Sequence, residues 1–277
     1  DTGEATVTST LTFTSANWDT AQTVTVTGVD DVAVDGNQTT TITASIDDDN
    51  SDDGYDSVED QTVSVTTADD DTAGYTIVES GGSTSVTESG TTDTFTLVLN
   101  TQPLSDVVFS ISSSDTGEAT VTTTLTFTPA NWDTAQTGTV TGIDDSIIDG
   151  TQTATITVSI NDGSSDDDFD SLADQTITTS NVDDDVAGFT IAETDGSTAV
   201  AESGSTDTFT VVLNAQPTSD VVLSITSNDT GESSIPSAIT FTSANWDTAQ
   251  TVTVTGVDDD IIDGEQGSSL TITIDDS

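Results

Sequence analysis

The chain has 277 residues with 51 Asp and Glu but no Lys, Arg or His, so its formal charge is −51. Without basic side chains, nucleic acid and anionic membrane surfaces are poor partners. The absence of Cys and His excludes the usual zinc, copper and iron sites and the nucleophilic triads. No run approaches the roughly 20 apolar residues of a membrane span. We therefore expect a non-enzymatic chain with no membrane insertion, and divalent cations from solution to offset its self-repulsion.

Strands are predicted by a period of two, in which Thr or Ser alternates with apolar residues. In chain order these runs are 6–14, 22–29, 38–46, 61–68, 74–80, 93–100 and 106–114. The β-branched Thr and Val suit a pleated surface, and Gly, Asn, Asp and Ser separate the runs as turns. About seven short strands in about 110 residues are typical of an immunoglobulin-like β-sandwich. The predicted class is therefore all-β.

A long internal repeat organises the chain. The string DTGE occurs at 1–4, 115–118 and 229–232, a period of 114 residues, and Trp18, Trp132 and Trp246 keep the same spacing. This period has the size of one domain in a tandem array. We expect a complete domain at 72–185, the later strands of a preceding domain at 1–71, and at 186–277 a domain lacking its last strand. We call these segments the middle, first and third repeats, and expect them to be an internal piece of a longer protein.

Acidic pairs follow the same strand in every repeat. ANWDTAQTVTVTGVDD at 16–31 returns at 130–145 and 244–259 with two changes in the middle copy, and an Asp triplet closes the first two repeats. Ca²⁺ takes six to eight oxygen ligands, which carboxylates at strand ends can supply. Asp is also a common turn residue, but pairs repeated in register with no basic partner favour a metal site. The loop 47–60 is read either as a second, partial calcium motif or as a solvated acidic loop.

The order of motifs in the middle repeat resembles a Calx-beta domain. It opens with YTIVES and SVTES, continues through TFTLVLN and LTFTPANWDTAQTGTVTGIDD, and closes with DDD. The resemblance covers essentially the whole chain, and similar strings occur in large repetitive bacterial surface proteins of the adhesin type. It implies tandem seven-stranded β-sandwiches that bind calcium at one end, near the junction with the next domain.

Carried over residue by residue, the resemblance implies calcium ligands in all three repeats. In the middle repeat these are Glu79, Asp115 or Glu118, Asp144, Asp145, Asp149, Asp183, Asp184 and Asp185. In the first repeat they are Asp30, Asp31, Asp35, Asp69, Asp70 and Asp71, and in the third Glu193, Asp258, Asp259 and Asp263. Gln152 stands where the family often has a second Glu, which leaves the number of ions open.

Two functions follow from these features. The first is a structural segment of a long extracellular or cell-surface fibre, filament or adhesin stalk, stabilised by Ca²⁺ and built by neighbouring repeats or copies of the chain. The alternative is a calcium-dependent module that binds a glycan or a protein. The alternative requires an exposed aromatic or pocket, for which Trp18, Trp132 and Trp246 are candidates, whereas the structural function predicts that these side chains pack against the sandwich.

Overall fold

The computed structural model describes residues 1–262 and 264–275 and is all-β, as predicted. Among the described residues there is no apolar helix of the length that a bilayer crossing requires. The first repeat holds two antiparallel pairs, β1 with β2 and β3 with β4. Its elements are β1 Ala5–Val7, β2 Val26–Gly28, β3 Gln38–Ala44, the 3₁₀ helix Asp48–Asn50 and β4 Gln61–Thr67.

The middle repeat forms two sheets with one core between them. One sheet has the order β10-β8-β12-β13-β6 and the other β5-β7-β11-β9. The strands are β5 Tyr75–Glu79, β6 Thr84–Thr87, β7 Thr92–Leu99, β8 Val107–Ser113, β9 Ala119–Val121, β10 Thr124–Phe127, β11 Gln136–Gly142, β12 Gln152–Ile160 and β13 Gln175–Val182. The 3₁₀ helices are Ser80–Gly82, Asp162–Ser164 and Asp167–Phe169.

The middle repeat therefore has nine strands, whereas the sequence predicts about seven. Two features account for the difference. The run TVTTTLTFT, predicted as one strand, is divided between the sheets: Thr122 donates its N–H to Thr139 of β11, whereas the carbonyl of Thr123 accepts from Ile111 of β8. A strand that changes sheets must break its ladder, so β9 and β10 are separate. The other addition is β6, a four-residue strand parallel to β13, which is too short to show a period.

The core of the middle repeat is made by alternate residues of both sheets. Its largest fully buried side chains are Phe95, Phe109, Phe127, Phe169 and Ile156, together with Leu97. Strand β11 passes close to β7 at Gly138, where a Cβ atom would lie 2.2 Å from the Phe95 ring. The alternation of Thr with apolar residues thus separates a wet face from the core, as predicted.

The third repeat copies most of this arrangement. Its sheets have the orders β14-β15-β19-β17 and β18-β16-β20, and Phe209, Val211, Leu223 and Phe241 lie in its core. The elements are β14 Phe189–Glu193, the 3₁₀ helix Thr194–Gly196, β15 Thr206–Leu213, β16 Val221–Ser227, β17 Ser233–Ser234, β18 Ala238–Phe241, β19 Gln250–Gly256 and β20 Leu270–Ile274.

Backbone bridges connect successive repeats at equivalent positions. Ala33 of the first repeat forms a parallel bridge with Gln102 of the middle repeat, and Ile147 of the middle repeat forms one with Gln216 of the third. The Gln102 N–H donates to the Val32 carbonyl at 2.8 Å, and the Gln216 N–H donates to the Ser146 carbonyl. The loop after the repeated Asp pair is therefore also the loop that contacts the following repeat.

Candidate metal centre

Strand register brings acidic residues together at one pole of the middle repeat. Strands β6 and β13 are parallel, with Thr87 opposite Val182, so the next residues, Glu88 and Asp183, emerge side by side. Strands β9 and β11 are antiparallel, with Ala119 opposite Gly142, so Glu118, which precedes β9, lies beside the Asp pair that follows β11. Four strand ends thus deliver carboxylates to one place.

Two acidic clusters result in the middle repeat. Glu88, Asp183 and Asp185 form one, and Glu118, Asp145 and Asp149 form the other. Within each cluster, one carboxylate oxygen from each residue lies within 4.8 Å of the other two. Two oxygens that bind the same Ca²⁺ ion at roughly 2.3–2.6 Å can be at most about 5 Å apart. Both clusters therefore have the spacing that a shared cation requires.

Backbone hydrogen bonds orient Asp183 and join the two clusters. Its Oδ2 accepts from the N–H groups of Asp149 at 3.1 Å and Gly150 at 2.8 Å, and its Oδ1 accepts from the Asp185 N–H at 2.8 Å. These bonds, led by that from Gly150, hold the pKa of Asp183 below its usual range. Gly150 has a φ of +73°, a conformation that favours glycine. The centre is thus oriented by the backbone as well as by side chains.

The same arrangement recurs in the first repeat. Asp69 accepts from the N–H groups of Asp35, Gly36 and Asp71, and these bonds lower its pKa. The acidic cluster there contains Glu4, Asp31 and Asp35, which are the counterparts of Glu118, Asp145 and Asp149. Two repeats therefore build this part of the centre from the same positions.

Glu88 is the most deeply buried carboxylate of the centre, with only 1% of its surface exposed. Its Oε2 accepts a long hydrogen bond of 3.4 Å from the Asp184 N–H, and its Oε1 has no partner among the described residues. Burial, opposed by that bond and reinforced by the charges of Asp145, Asp183 and Asp149, raises the pKa of Glu88 to about 7. A buried carboxylate is costly unless it is paired or binds a metal.

Asp185 is the second carboxylate of the centre with a buried oxygen that no hydrogen bond stabilises. Its Oδ2 is buried without a hydrogen-bond partner among the described residues. Burial, followed by the charges of Asp183 and Asp184, raises its pKa. Its counterpart Asp71 has a pKa raised in the same way, first by burial and then by Asp69 and Asp70. Unpartnered oxygens and an all-carboxylate donor set fit a hard divalent cation such as Ca²⁺.

The predicted ligands divide into three groups. Those brought into a cluster are Glu118, Asp145, Asp149, Asp183, Asp185, Asp31 and Asp35. Others adjoin a cluster without being members of it: Asp144 and Asp184 are next to cluster members in sequence, and the residues that line the same pocket as the first-repeat cluster are Asp30, Asp69, Asp70 and Asp71. Asp115 is exposed and its carboxylate accepts from the Gly117 N–H at 2.9 Å in a turn, so of the two predicted alternatives only Glu118 joins a cluster.

Glu79 and Glu193 are not members of any cluster among the described residues. Glu79 accepts from the Thr84 hydroxyl at 2.8 Å, and Glu193 accepts from the Thr198 hydroxyl at 3.5 Å. Glu79 is in register with Phe95, which pairs with Gly138, four residues before the end of β11. Glu79 therefore lies along the sheet rather than at the pole.

In the third repeat, Asp258 and Asp259 follow β19, and Asp259 accepts from the Ile261 N–H at 2.7 Å. Asp263 lies outside the described residues. No cluster of three acidic ligands occurs in the part of this repeat that the structure describes. The predicted ligands of this repeat therefore remain predictions.

Two cluster members, Glu88 and Glu4, were absent from the predicted ligands. The repeat contained a signal for each. Glu4 is the exact-period counterpart of Glu118, and Glu88 has an acidic counterpart, Glu202, in the third repeat. What the sequence could not supply for Glu88 was the parallel pairing of β6 with β13, which alone puts it beside Asp183.

The chain has weak structural similarity to several solved proteins. The alignment with the calcium-binding domain CBD12 of CALX1.1 has a TM-score of 0.31 and 18% identity, and covers 72% of this chain and 80% of that one. That with domains 4 and 5 of the S-layer protein SbsC has a TM-score of 0.28 and 20% identity, and covers 44% and 59%. No protein-family model and no curated protein matches the sequence. At TM-scores this far below 0.5, nothing about the function of this chain follows from these likenesses.

Proposed function

We propose that the chain is a structural segment of a long extracellular or cell-surface fibre, filament or adhesin stalk made of tandem Calx-beta-like sandwiches. Its domains are 1–71, 72–185 and 186–277, the outer two being incomplete. Ca²⁺ binds at the acidic pole of each sandwich and offsets the carboxylate repulsion there. The observation that carries the proposal is the acidic centre around the buried, unpartnered Glu88 oxygen.

The position of the centre connects metal binding to the junction between repeats. Asp145 and Asp149 flank the loop whose residues Ser146 and Ile147 contact Gln216 of the third repeat. In the first repeat, Asp31 and Asp35 flank the loop that contacts Gln102. An ion held between the two aspartates of each loop would immobilise the segment that bonds to the neighbour, which stiffens the array.

The packing of the tryptophans supports the structural function over a glycan-binding module. Trp132 packs against the core of the middle repeat and Trp246 against that of the third. Trp18 is 70% exposed, in a repeat whose described residues form only two two-stranded sheets. Packed tryptophans act as core residues, so we assign no sugar recognition to Trp132 and Trp246.

Calorimetry and small-angle X-ray scattering of the whole chain, in CaCl₂ and in EDTA, test the proposal. A site with ion present at about 100 times its dissociation constant adds about 2.7 kcal/mol to stability, so EDTA should lower the melting temperature and reduce the stiffness seen in the scattering curve. MgCl₂ at equal ionic strength controls for screening. Unchanged melting and scattering in EDTA would reject a calcium-stabilised segment.

A further inference from the structure

A buried amide lies directly beneath the acidic centre of the middle repeat. Asn181 has only 1% of its surface exposed and lies on β13, two residues before Asp183. Its partner in β6 is Val86, two residues before Glu88, and its partner in β12 is Gln152. Asn is mostly an exposed residue in proteins, and a buried amide is costly unless it is hydrogen-bonded. The hydrogen bonds of this side chain therefore decide what it contributes.

The amide nitrogen of Asn181 is directed at the centre. Nδ2 donates to the Glu118 Oε2 atom at 3.2 Å and to the Ile143 carbonyl at 3.0 Å, which uses both of its N–H groups. Ile143 immediately precedes Asp144 and Asp145, and its N–H donates to the carbonyl of Glu118 at 2.9 Å. One side chain thus holds a cluster carboxylate and the backbone from which the repeated Asp pair follows.

The acceptor of the same amide is left unsatisfied. Asn181 Oδ1 is buried without a hydrogen-bond partner among the described residues. It packs against Gly142, where a Cβ atom would lie 2.8 Å from Oδ1 and 2.2 Å from the Thr87 carbonyl oxygen. An unsatisfied buried acceptor lowers stability, so an apolar side chain of similar size would stabilise the core better. The two donors, rather than the packing, distinguish Asn181 from an ordinary core residue.

A neighbouring residue on the same face of β13 gives a contrast. Thr179 is also fully buried, and its hydroxyl oxygen has no hydrogen-bond partner among the described residues. Its partners in register are Thr84 of β6 and Ala154 of β12, and none of these residues belongs to an acidic cluster. Both side chains bury a polar group on this face, but only Asn181 of the two is bonded to a residue of the centre.

The hydrogen bond from Asn181 matters because the Glu118 side chain has several rotatable bonds. Fixing a long side chain in one conformation costs conformational entropy, and a group that is already held in place does not incur this cost when a ligand binds. A neutral amide orients a carboxylate without cancelling its charge. Because a carboxylate can accept from several directions, one bond from Asn181 leaves positions free for a cation.

We propose that Asn181 is a positioning residue for the cation site formed by Glu118, Asp145 and Asp149. Its amide holds the Glu118 carboxylate and the backbone before the Asp pair in place before the ion binds, and it does not itself contact the ion. Hydrogen-bond partners that orient metal ligands in this way raise the affinity of metal sites. The inference rests on the proposed binding of Ca²⁺ at this pole and adds the residue that orients one of its ligands.

Asn181→Leu in the whole chain tests the proposal, because Leu fills a similar space without the donors. A CaCl₂ titration followed by the amide resonances of Glu118 and Glu88 reports on the two clusters of the middle repeat separately. The Glu118 midpoint should move to a calcium concentration about tenfold higher or more, and farther than the Glu88 midpoint. The melting temperature in EDTA should not fall, since the change also removes an unsatisfied acceptor.

Two further variants accompany this one. Thr179→Val removes a buried hydroxyl from the same face and should leave the Glu118 midpoint unchanged. Asn181→Thr introduces the residue of the first repeat, Thr67, whose hydroxyl donates to the backbone carbonyl of Glu4. It lacks the amide donors, so it should weaken calcium binding as Asn181→Leu does. An equal loss of affinity in Thr179→Val would overturn the proposal.

A double-variant cycle separates positioning from a change in packing. Glu118→Asp keeps the charge but draws the carboxylate away from the amide. If Asn181 acts through Glu118, adding Asn181→Leu to Glu118→Asp should cause less than about twofold further loss of affinity, because the effects of coupled residues do not add. Two losses that simply multiply would overturn the positioning role.

Calcium binding by the wild type separates this inference from the proposed function. Wild-type binding together with an unchanged Glu118 midpoint in Asn181→Leu retains the calcium-stabilised segment and overturns the positioning role. A wild-type chain whose amide resonances do not respond to CaCl₂ rejects calcium binding itself, and this inference with it.

Discussion

Phe13 and Phe127 stand in nearly identical sequences, LTFTSANWDTAQT and LTFTPANWDTAQT, yet their environments are opposite. Phe127 is fully buried in the middle repeat and Phe13 is 53% exposed in the first. Phe127 lies on β10 opposite Val107 of β8, whereas residues 8–14 are in no strand. Tyr55 and Phe169 differ in the same way, one exposed and the other fully buried. Local sequence sets which face is apolar, and the partner strand decides whether that face is covered.

The largest expected effect separates these two phenylalanines. Phe127→Ala should destabilise the middle repeat by about 3–5 kcal/mol, because it removes a buried ring and leaves a cavity. Phe13→Ala should change stability by no more than about 0.5 kcal/mol, as for other exposed positions. Urea unfolding followed by hydrogen exchange at β12 measures the middle repeat separately from the others. Equal losses for the two variants would show that burial at these positions does not differ as described.

The second comparison concerns the acidic pole, and its expected effect is smaller. Asp185→Asn should remove up to about 2.7 kcal/mol of calcium-dependent stabilisation per site, because it takes a carboxylate from the cluster with Glu88 and Asp183. Without calcium the same change should be neutral or stabilising, since it removes a charge repelled by Asp183 and Asp184. Melting temperatures in CaCl₂ and EDTA report this reversal of sign.

Two variants control the calcium experiment. Asp71→Asn makes the equivalent change in the first repeat, where this residue is not a member of an acidic cluster, and should lose less calcium stabilisation. Asp133→Asn removes an exposed carboxylate that lies in no cluster and should behave as the wild type in both buffers. A loss of calcium stabilisation in Asp133→Asn equal to that in Asp185→Asn would mean that calcium acts on net charge alone.

The last comparison is a pH dependence in EDTA that comes from Glu88. Its pKa is raised from 4.5 to about 7 in the folded chain, so between these pH values the folded state binds more protons than the unfolded one. Stability should therefore fall as pH rises through this range. Glu88→Gln should flatten that part of the melting profile. Calcium should reverse the trend, since it binds the ionised carboxylate, and a Glu88→Gln profile as steep as that of the wild type would contradict this account.

Much of this fold could be predicted from the sequence, because period-two alternation is a local property. The runs 93–100 and 106–114 match β7 (Thr92–Leu99) and β8 (Val107–Ser113) to within one residue at each end. The change of sheet between β9 and β10 was not predictable in the same way, because it depends on which neighbours accept the backbone hydrogen bonds of Thr122 and Thr123. The all-β class follows from local alternation, whereas the number of strands depends on which strands pair.

The same distinction between local pattern and strand pairing applies to the residues of the candidate centre. The repeated pairs and triplet indicate residues that the structure brings close together, such as Asp145 and Asp183, because each follows a strand that the pattern reveals. Glu79 and Glu88 are equally acidic and only nine residues apart, and choosing between them requires the register of β5 on β7 and of β6 on β13. Register is a property of pairs of strands, so one chain read in order cannot determine it.

The two junction bridges have a geometric consequence. The bridges are Ala33 with Gln102 and Ile147 with Gln216. Ala33 and Ile147 are one repeat length apart in the sequence, and so are Gln102 and Gln216. A single rotation combined with a translation describes such a step, and its repeated application traces a helix of constant pitch. A substitution that tilts the step by a small angle at the same position of every repeat would change the pitch of the whole array, so a slight local change would be magnified in proportion to the number of repeats.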